Sequence, residues 1–207
     1  MLAGKITKVF IYAMNSKIER RESPIHGIGT FALVDIPRKT KICIGHHCCA
    51  TKDYFRTKDV AFFNYSEKPN AITPYKYVRY KNGLGMITEV KALNNIKKGE
   101  EITLKYSWYD PTKPDTKDNK HYRPLPDNVY LKGDRLYASK DIDIFNEFGT
   151  THNFVKYLDK YVASPLGGFL TKDKESNCKL IKSQGKKTLI SIKSIKKDTL
   201  LTINNYE

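Results

Sequence analysis

The sequence predicts a mostly β fold of short strands and few short helices, arranged as two tandem halves. Three observations lead there. Stretches rich in β-branched and aromatic residues recur, each bounded by Gly, Pro, Asn or Asp. A Pro/Asp/Lys-rich stretch at residues 108–128 interrupts them. The residues after it repeat, in order and spacing, residues before it.

Taken in order, residues 5–13 read as a strand. Ser23-Pro24 breaks the chain, because a proline disfavours helix in the residue before it. Gly27 and Gly29 follow, where glycine permits unusual backbone geometry and close approach of a ligand. Thr30–Ile36 is a short strand, Pro37–Lys39 a turn and Lys41–Ile44 a strand. Residues 45–60 carry a weak pattern. His46-His47 has no ligand partner at useful spacing and reads as a surface loop, and Thr51–Val60 as one or two helical turns. Tyr75–Tyr80 alternates aromatic or aliphatic with basic residues. Asn82-Gly83 signals a hairpin, and Leu84–Leu93 returns. Lys97–Glu100 suits a tight turn, and Ile102 and Leu104 alternate with Thr103 and Lys105 up to Tyr106, as in a half-buried strand. In the second half, Phe154, Val155, Leu158, Tyr161 and Val162 recur at helical spacing, so residues 150–163 read as an amphipathic helix.

The repeat is the most informative internal feature. His26–Ala32 aligns with Lys132–Ala138, Phe62–Asn70 with Phe169–Asn177, Ile96-Lys97-Lys98 with Ile195-Lys196-Lys197, and Ile102-Thr103 with Leu201-Thr202. Gly29 has become Arg135, Asn64 has become Thr171, and Gly99-Glu100-Glu101 has become Asp198-Thr199-Leu200. Tyr206 falls one position past the slot matching Tyr106, and such a slip reverses the face of a strand. The second copy reads as structural.

Composition narrows the function classes. The 207 residues are 40% hydrophobic, with 14 tyrosines and a net charge of +15. Residues 1–107 carry 19 Lys/Arg against 9 Asp/Glu, and residues 108–207 carry 18 against 13, so the excess is spread out. It favours an anionic partner such as nucleic acid, or reflects a lysine-rich solvated surface. No apolar run reaches the ~18–20 residues of a membrane span. No secretory signature stands at the start, so an intracellular location is expected, in the nucleus of a host cell or the cytoplasm. Cys43, Cys48, Cys49 and Cys178 form no paired zinc knuckles, and no metal is expected.

Three stretches carry the chemistry. They are Ser23–Ala32 with Gly-x-Gly-x-Phe-Ala, Phe62–Ala71 with Asn-x-Ser-x-x-Pro-Asn, and Ile96–Tyr106 with Gly-Glu-Glu-Ile-Thr-x-x-Tyr. Read bare, each is a turn or a strand end. In this order they resemble the SET-domain lysine methyltransferases, in the minimal, stand-alone form found in viruses and bacteria. The resemblance implies short curved sheets with a knot-like threaded segment, shaped by Ser66, Pro69 and Asn70. It implies a catalytic SET domain at 1–107, the connector at 108–128 and a degenerate SET-like repeat at 129–207.

The resemblance also implies S-adenosylmethionine as cofactor, held by His26, Gly27, Ile28, Gly29, Asn64 and Tyr65, with Tyr106 in catalysis. Tyr65 stands where the family has histidine. Trp108 could cover the adenine, line the substrate cleft or pack between the halves. The partner would be a protein with a target lysine, a histone or other basic protein, and Glu67, Glu100, Glu101 and Asp110 are acidic residues near the motifs. Leu104 leaves the number of methyl groups open. The chain would be a monomer with an internal pseudo-dimer, or a homodimer. An inactive SET-like module binding basic peptides or nucleic acid is the alternative. Methyl transfer needs a neutral amine, and at pH 7 only roughly one free lysine in two thousand is neutral. A tyrosine hydroxyl can accept a hydrogen bond from that amine while its ring keeps the channel dry.

Overall fold

The structure, a computed structural model, describes residues 17–48, 54–80, 82–106 and 125–204. It is mostly β. The first half holds β1 (Ile18–Glu22), β2 (Ile28–Ala32), β3 (Lys41–Cys48), β4 (Tyr54–Arg56), β5 (Asn64–Tyr65), β6 (Ala71–Ile72), β7 (Tyr75–Tyr80), β8 (Gly83–Ala92) and β9 (Thr103–Leu104). The second holds β10 (Val129–Lys132), β11 (Arg135–Ala138), β12 (Glu147–Val155), β13 (Lys160–Ala163), a four-residue helix α1 (Pro165–Gly168), β14 (Thr171–Lys172), β15 (Cys178–Ser183), β16 (Lys186–Ser191) and β17 (Thr202–Ile203).

In the first half β8 is central. Its partners are β3, with β4 outside it, on one side and β6 and β7 on the other. The hairpin expected at Asn82-Gly83 joins β7 to β8, with Gly83 opposite Tyr80. Register shifts between Lys41 and Cys43 and between Ile44 and His46 bend β3 against β8. The strands β1 and β2 form a separate antiparallel hairpin, and β5 pairs in parallel with β9. The second half has a six-stranded sheet in the order β13-β12-β16-β15-β17-β14 and a β10–β11 hairpin.

The same local bonds recur in both halves. The Ile36↔Ile96 bridge has its counterpart in Ile142↔Ile195, and Phe31↔Glu101 in Tyr137↔Leu200. Parallel Asn64↔Thr103 matches Thr171↔Thr202. The Asn70 side chain accepts from Thr103 N at 2.9 Å and donates to Glu101 O at 2.8 Å. Asn177 does the same with Thr202 N at 2.9 Å and Leu200 O at 2.8 Å. Asp35 accepts from Lys98 N and pairs with Lys97, as Asp141 does with Lys197 N and Lys196. Short polar side chains thus satisfy equivalent turn backbones in both halves.

Several expectations are corrected. Residues 150–163 are not a helix: they form the end of β12, a single 3₁₀ turn at Lys156–Leu158 and β13. Asp159 ends the turn at φ 52°, a left-handed conformation that reverses the chain. Phe154 and Tyr161 then meet across the hairpin at 5.4 Å between ring centroids. His46-His47 is no surface loop but part of β3, and His47 is 3% exposed. Residues 54–56 are a strand rather than a helical turn. Thr30–Ile36 is strand only to Ala32. Thr103 is buried with Ile102 and Leu104, so the strand is buried on both faces rather than half-buried. The strand read at 5–13, most of the 108–128 connector, Cys49 and Tyr206 lie outside the described residues.

Each half has a core. The first is built on Ile18, Ile36, Phe63, Val90, Ile96, Ile102 and Leu104. The second, on Leu136, Phe148, Leu189, Leu201 and Ile203, also takes in Phe62. Phe62 meets Phe169 edge to face at 5.7 Å. Two further joints tie the halves. Arg20 pairs with Asp59 and with Asp134 of the second half, 3.3 Å each, and its guanidinium lies over the Phe169 ring. At the other end the Tyr157 hydroxyl lies 2.7 Å from His47 Nδ1. The Tyr157 ring covers Gly85, where a Cβ would come within 2.6 Å of it. Only glycine lets that ring sit flush on the strand.

Candidate active site

The site begins with the loop between β1 and β2. Ser23 N donates to Gly27 O at 2.8 Å, closing the loop, and Ile25 N donates to Ser23 Oγ at 2.9 Å. Pro24, Ile25, His26 and Gly27 are exposed. Gly27 sits at φ +48° with no heavy atom within 4 Å of a built Cβ, so it supplies the turn and leaves space beside it. Gly29 plays a different part. It is buried in β2, and a Cβ there would stand 2.2 Å from Glu101 Oε1 and 2.9 Å from Ser23 Cβ. The close approach read from Gly29 is therefore made first by Glu101.

Asn64 connects this loop to the other two motifs. Its amide nitrogen lies 2.8 Å from Glu101 Oε1, 3.0 Å from His26 O, 3.0 Å from Ser23 Oγ and 3.5 Å from Ile28 O. Two N–H protons face four oxygens, so the nitrogen serves at most two of them with ordinary bonds at a time. Ser23 Oγ in turn donates to the Glu101 carboxylate, 2.8 Å from Oε1 and 2.9 Å from Oε2. The parallel β5–β9 pairing sets Asn64 opposite Thr103 and Tyr65 opposite Leu104. Arg21 stacks on Phe31 and donates to Gly99 O at 2.9 Å, fixing the Gly-Glu-Glu turn against β1.

Next along lie the two tyrosines. The half-buried rings of Tyr65 and Tyr106 pack edge to face, 5.4 Å between centroids. Tyr106 donates its hydroxyl proton to Phe63 O at 2.6 Å. A phenol has one proton and two lone pairs, so this bond orients the oxygen as an acceptor. Tyr65 donates to Glu67, which also pairs with Lys105 at 2.7 Å. That pairing, first through the hydrogen bond, holds the Lys105 ammonium above its usual pKa. Of the other acidic residues near the motifs, Glu100 accepts from Lys97 N and Asn70 within its own turn. Asp110 and Trp108 lie outside the described residues.

The geometry therefore brings together His26, Gly27, Ile28, Gly29, Asn64, Tyr65 and Tyr106 from three separate stretches. It adds Ser23 and Glu101 as the groups that join them. A glycine inside a strand often marks close approach of another group, and that was the available signal for Glu101. In the second half the corresponding positions hold Arg135, Thr171 and Leu200. A leucine offers no carboxylate and a threonine no amide, so this cluster has no counterpart there. No group of three or more His, Cys, Asp and Glu among the described residues is placed to hold a metal. No helix among them is long and apolar enough to cross a membrane.

Comparison with known proteins agrees with the site. The SET domain family model matches residues 44–107. That span includes Asn64, Tyr65, Glu101 and Tyr106, and leaves the Gly27–Gly29 loop outside it. No curated protein matches the chain. A solved structure of a Plasmodium falciparum protein, provisionally described as a histone methyltransferase, shares 23% identity, covering 47% of this chain and 100% of its own, with a TM-score of 0.38. That likeness is too slight to carry an argument. The ordered motifs and the family match agree on one stretch: residues 44–107 are similar to the SET domain family.

Proposed function

We propose that this chain is an S-adenosylmethionine-dependent protein-lysine N-methyltransferase, with one active site in its first half. The carrying observation is the Asn64 amide. It bonds the His26 carbonyl and the Glu101 carboxylate at once, beside the Tyr65–Tyr106 pair. Chance motifs have no reason to converge on one hydrogen-bonded cluster.

The donor set fits a cofactor bearing an ammonium, a carboxylate and a purine. Glu101 offers a carboxylate, the exposed Pro24–Gly27 loop offers backbone groups with open space beside Gly27, and Tyr65 offers an aromatic ring. When bound, the cofactor supplies the electrophilic methyl group. The residues of the chain do the rest. Ser23 and Asn64 hold the loop in place. Tyr106, oriented by Phe63 O, accepts a hydrogen bond from the substrate amine and aims its lone pair. The two rings exclude water, which disfavours the charged ammonium and so favours the neutral nucleophile. Glu67, paired with Lys105, holds the Tyr65 hydroxyl beside this pair. We place histone tails and other basic proteins as substrates, and the protein inside the cell.

We further propose that residues 129–207 are a degenerate copy of 1–107. The recurring bridges and asparagine clamps support this reading. The lost amide and carboxylate make the copy a support rather than a second catalyst. Its contacts with Arg20, Phe62 and His47 brace the first half as a partner subunit would.

Calorimetric titration with S-adenosylmethionine, followed by methyl transfer from labelled cofactor to histones and ribosomal proteins, tests both. One site per chain and labelling of a lysine are expected. Two sites would overturn the degenerate-copy reading. No binding at millimolar cofactor would overturn the enzyme and leave a SET-like binding module.

A further inference from the structure

The β7–β8 hairpin presents a surface that the methyltransferase reading does not use. Side chains two apart on a strand share a face. Tyr75, Tyr77 and Arg79 therefore lie on one face of β7, opposite Thr88, Met86 and Leu84 of β8. Tyr77 is 70% exposed, Leu84 64% and Tyr75 50%, and Arg79 is exposed beside them. Three large apolar side chains left in water on one hairpin form a patch rather than scattered singles.

The charge around this patch is one-sided. Between Tyr75 and Lys91 the sequence has Lys76, Arg79, Lys81 and Lys91 against Glu89 alone. Glu89 is 3% exposed and already held by Lys41, Lys76 and Lys91 at 3.2–3.3 Å. Burial would raise its carboxyl, but the three lysines outweigh burial and hold it below the usual range. Three cations on one carboxylate leave a surplus of positive charge on the hairpin, on the sheet face opposite the tyrosines, while Arg79 supplies the cation on their own face.

We propose that this hairpin is a binding surface for single-stranded nucleic acid. Tyr75 and Tyr77 stand about 7 Å apart along the strand, from the ~3.4 Å rise per residue. Aromatic rings on a sheet surface stack unpaired bases, and flanking Arg and Lys follow the phosphates. Charge selects the occupant: with Arg79 beside the rings, a surplus of lysines on the hairpin and a net charge of +15 on the chain, a basic peptide would be repelled. A duplex keeps its bases stacked internally and offers the rings nothing.

Fluorescence anisotropy of a labelled 12-nucleotide strand with the full chain tests this, at roughly 50 and 200 mM salt. Wild type should bind the single strand more tightly than a duplex of equal length, and weaken with salt. Tyr77→Ala should lower affinity about 5- to 100-fold, as expected for loss of one stacked base, while Tyr77→Phe stays within about twofold. Arg79→Glu should weaken binding and flatten the salt dependence. A remote reversal, Lys140→Glu, should change affinity by less than about threefold. Equal losses in Lys140→Glu and Arg79→Glu, or an unchanged Tyr77→Ala, would show only diffuse attraction and overturn the proposal. So would tighter binding of duplex, or none of either strand. The readout involves no methyl transfer, so it is independent of the activity proposed above.

Discussion

Replacing Asn64 by alanine is the sharpest test of the cluster that joins the three motifs. The side chain is 9% exposed, so water does not fully replace what it loses. Its two N–H protons serve at most two ordinary bonds, best to Glu101 Oε1 at 2.8 Å and to His26 O or Ser23 Oγ at 3.0 Å. A bond to a charged acceptor contributes about 1.5–3 kcal/mol and a neutral one about 0.5–1.5 kcal/mol. Glu101 keeps the Ser23 hydroxyl, which offsets part of the loss. The expected cost is therefore about 2–3 kcal/mol, a large share of the ~5–15 kcal/mol stability of a domain. Urea unfolding measures it. Because the amide also holds the His26 carbonyl, cofactor affinity should fall at least tenfold, measured calorimetrically where the variant remains folded. Asn64→Asp keeps the shape but sets a second carboxylate against Glu101, and should be as damaging at pH 8 and partly relieved near pH 5. A stability change below about 0.5 kcal/mol, with cofactor affinity within threefold of wild type, would refute the reasoning.

Three other outcomes follow from the same geometry. Tyr106→Phe removes the bond to Phe63 O and should cost about 1 kcal/mol in stability, keep cofactor affinity within about threefold and reduce methyl transfer at least ~100-fold; near-normal turnover would move catalysis elsewhere. Phe62→Ala empties a site shared with the second-half core and should cost about 3–5 kcal/mol, with unfolding followed by far-ultraviolet dichroism still a single transition; two separated transitions would mean the halves fold independently. Burial pushes His46, His47 and His152 down to about 4, helped by Arg56 and His47 on the first, Lys160 on the second and Lys187 on the third. Their folded pKa lies below the unfolded value near 6.5, so the unfolded state binds protons first. Stability should be full above pH 6.5 and fall towards pH 4, by roughly 1–3 kcal/mol per histidine. Urea midpoints against pH measure this; a flat profile from 6.5 to 4.5, or a slope unchanged in His47→Asn, would exclude these histidines as its source.

The sequence by itself determined the elements whose local chemistry is sufficient. Asn82-Gly83 specifies a reversal between two alternating strands, and a hairpin stands there. The order of the three motifs located the residues that meet, since each sits on a turn or strand end that short-range preferences place. The parallel spacing of Phe62–Asn70 and Phe169–Asn177 located two segments that make the same bonds. What failed were patterns that two structures share. Phe154, Val155, Leu158, Tyr161 and Val162 fit a helix, but the same spacing arises when two strands flank one tight turn, and their β-branched and aromatic character fits strands better. His46-His47 looks polar in sequence, yet His47 is buried because Tyr157, 110 residues away, supplies its hydrogen bond. Only the tertiary structure decided that Gly29 makes room for Glu101, that Ser23 and Asn64 share that carboxylate, and that Phe62 packs in the second core. Those are contacts between residues tens to a hundred positions apart. Local propensity has no term for them, because each exists only once packing has desolvated both partners and made the lone remaining hydrogen bond worth keeping.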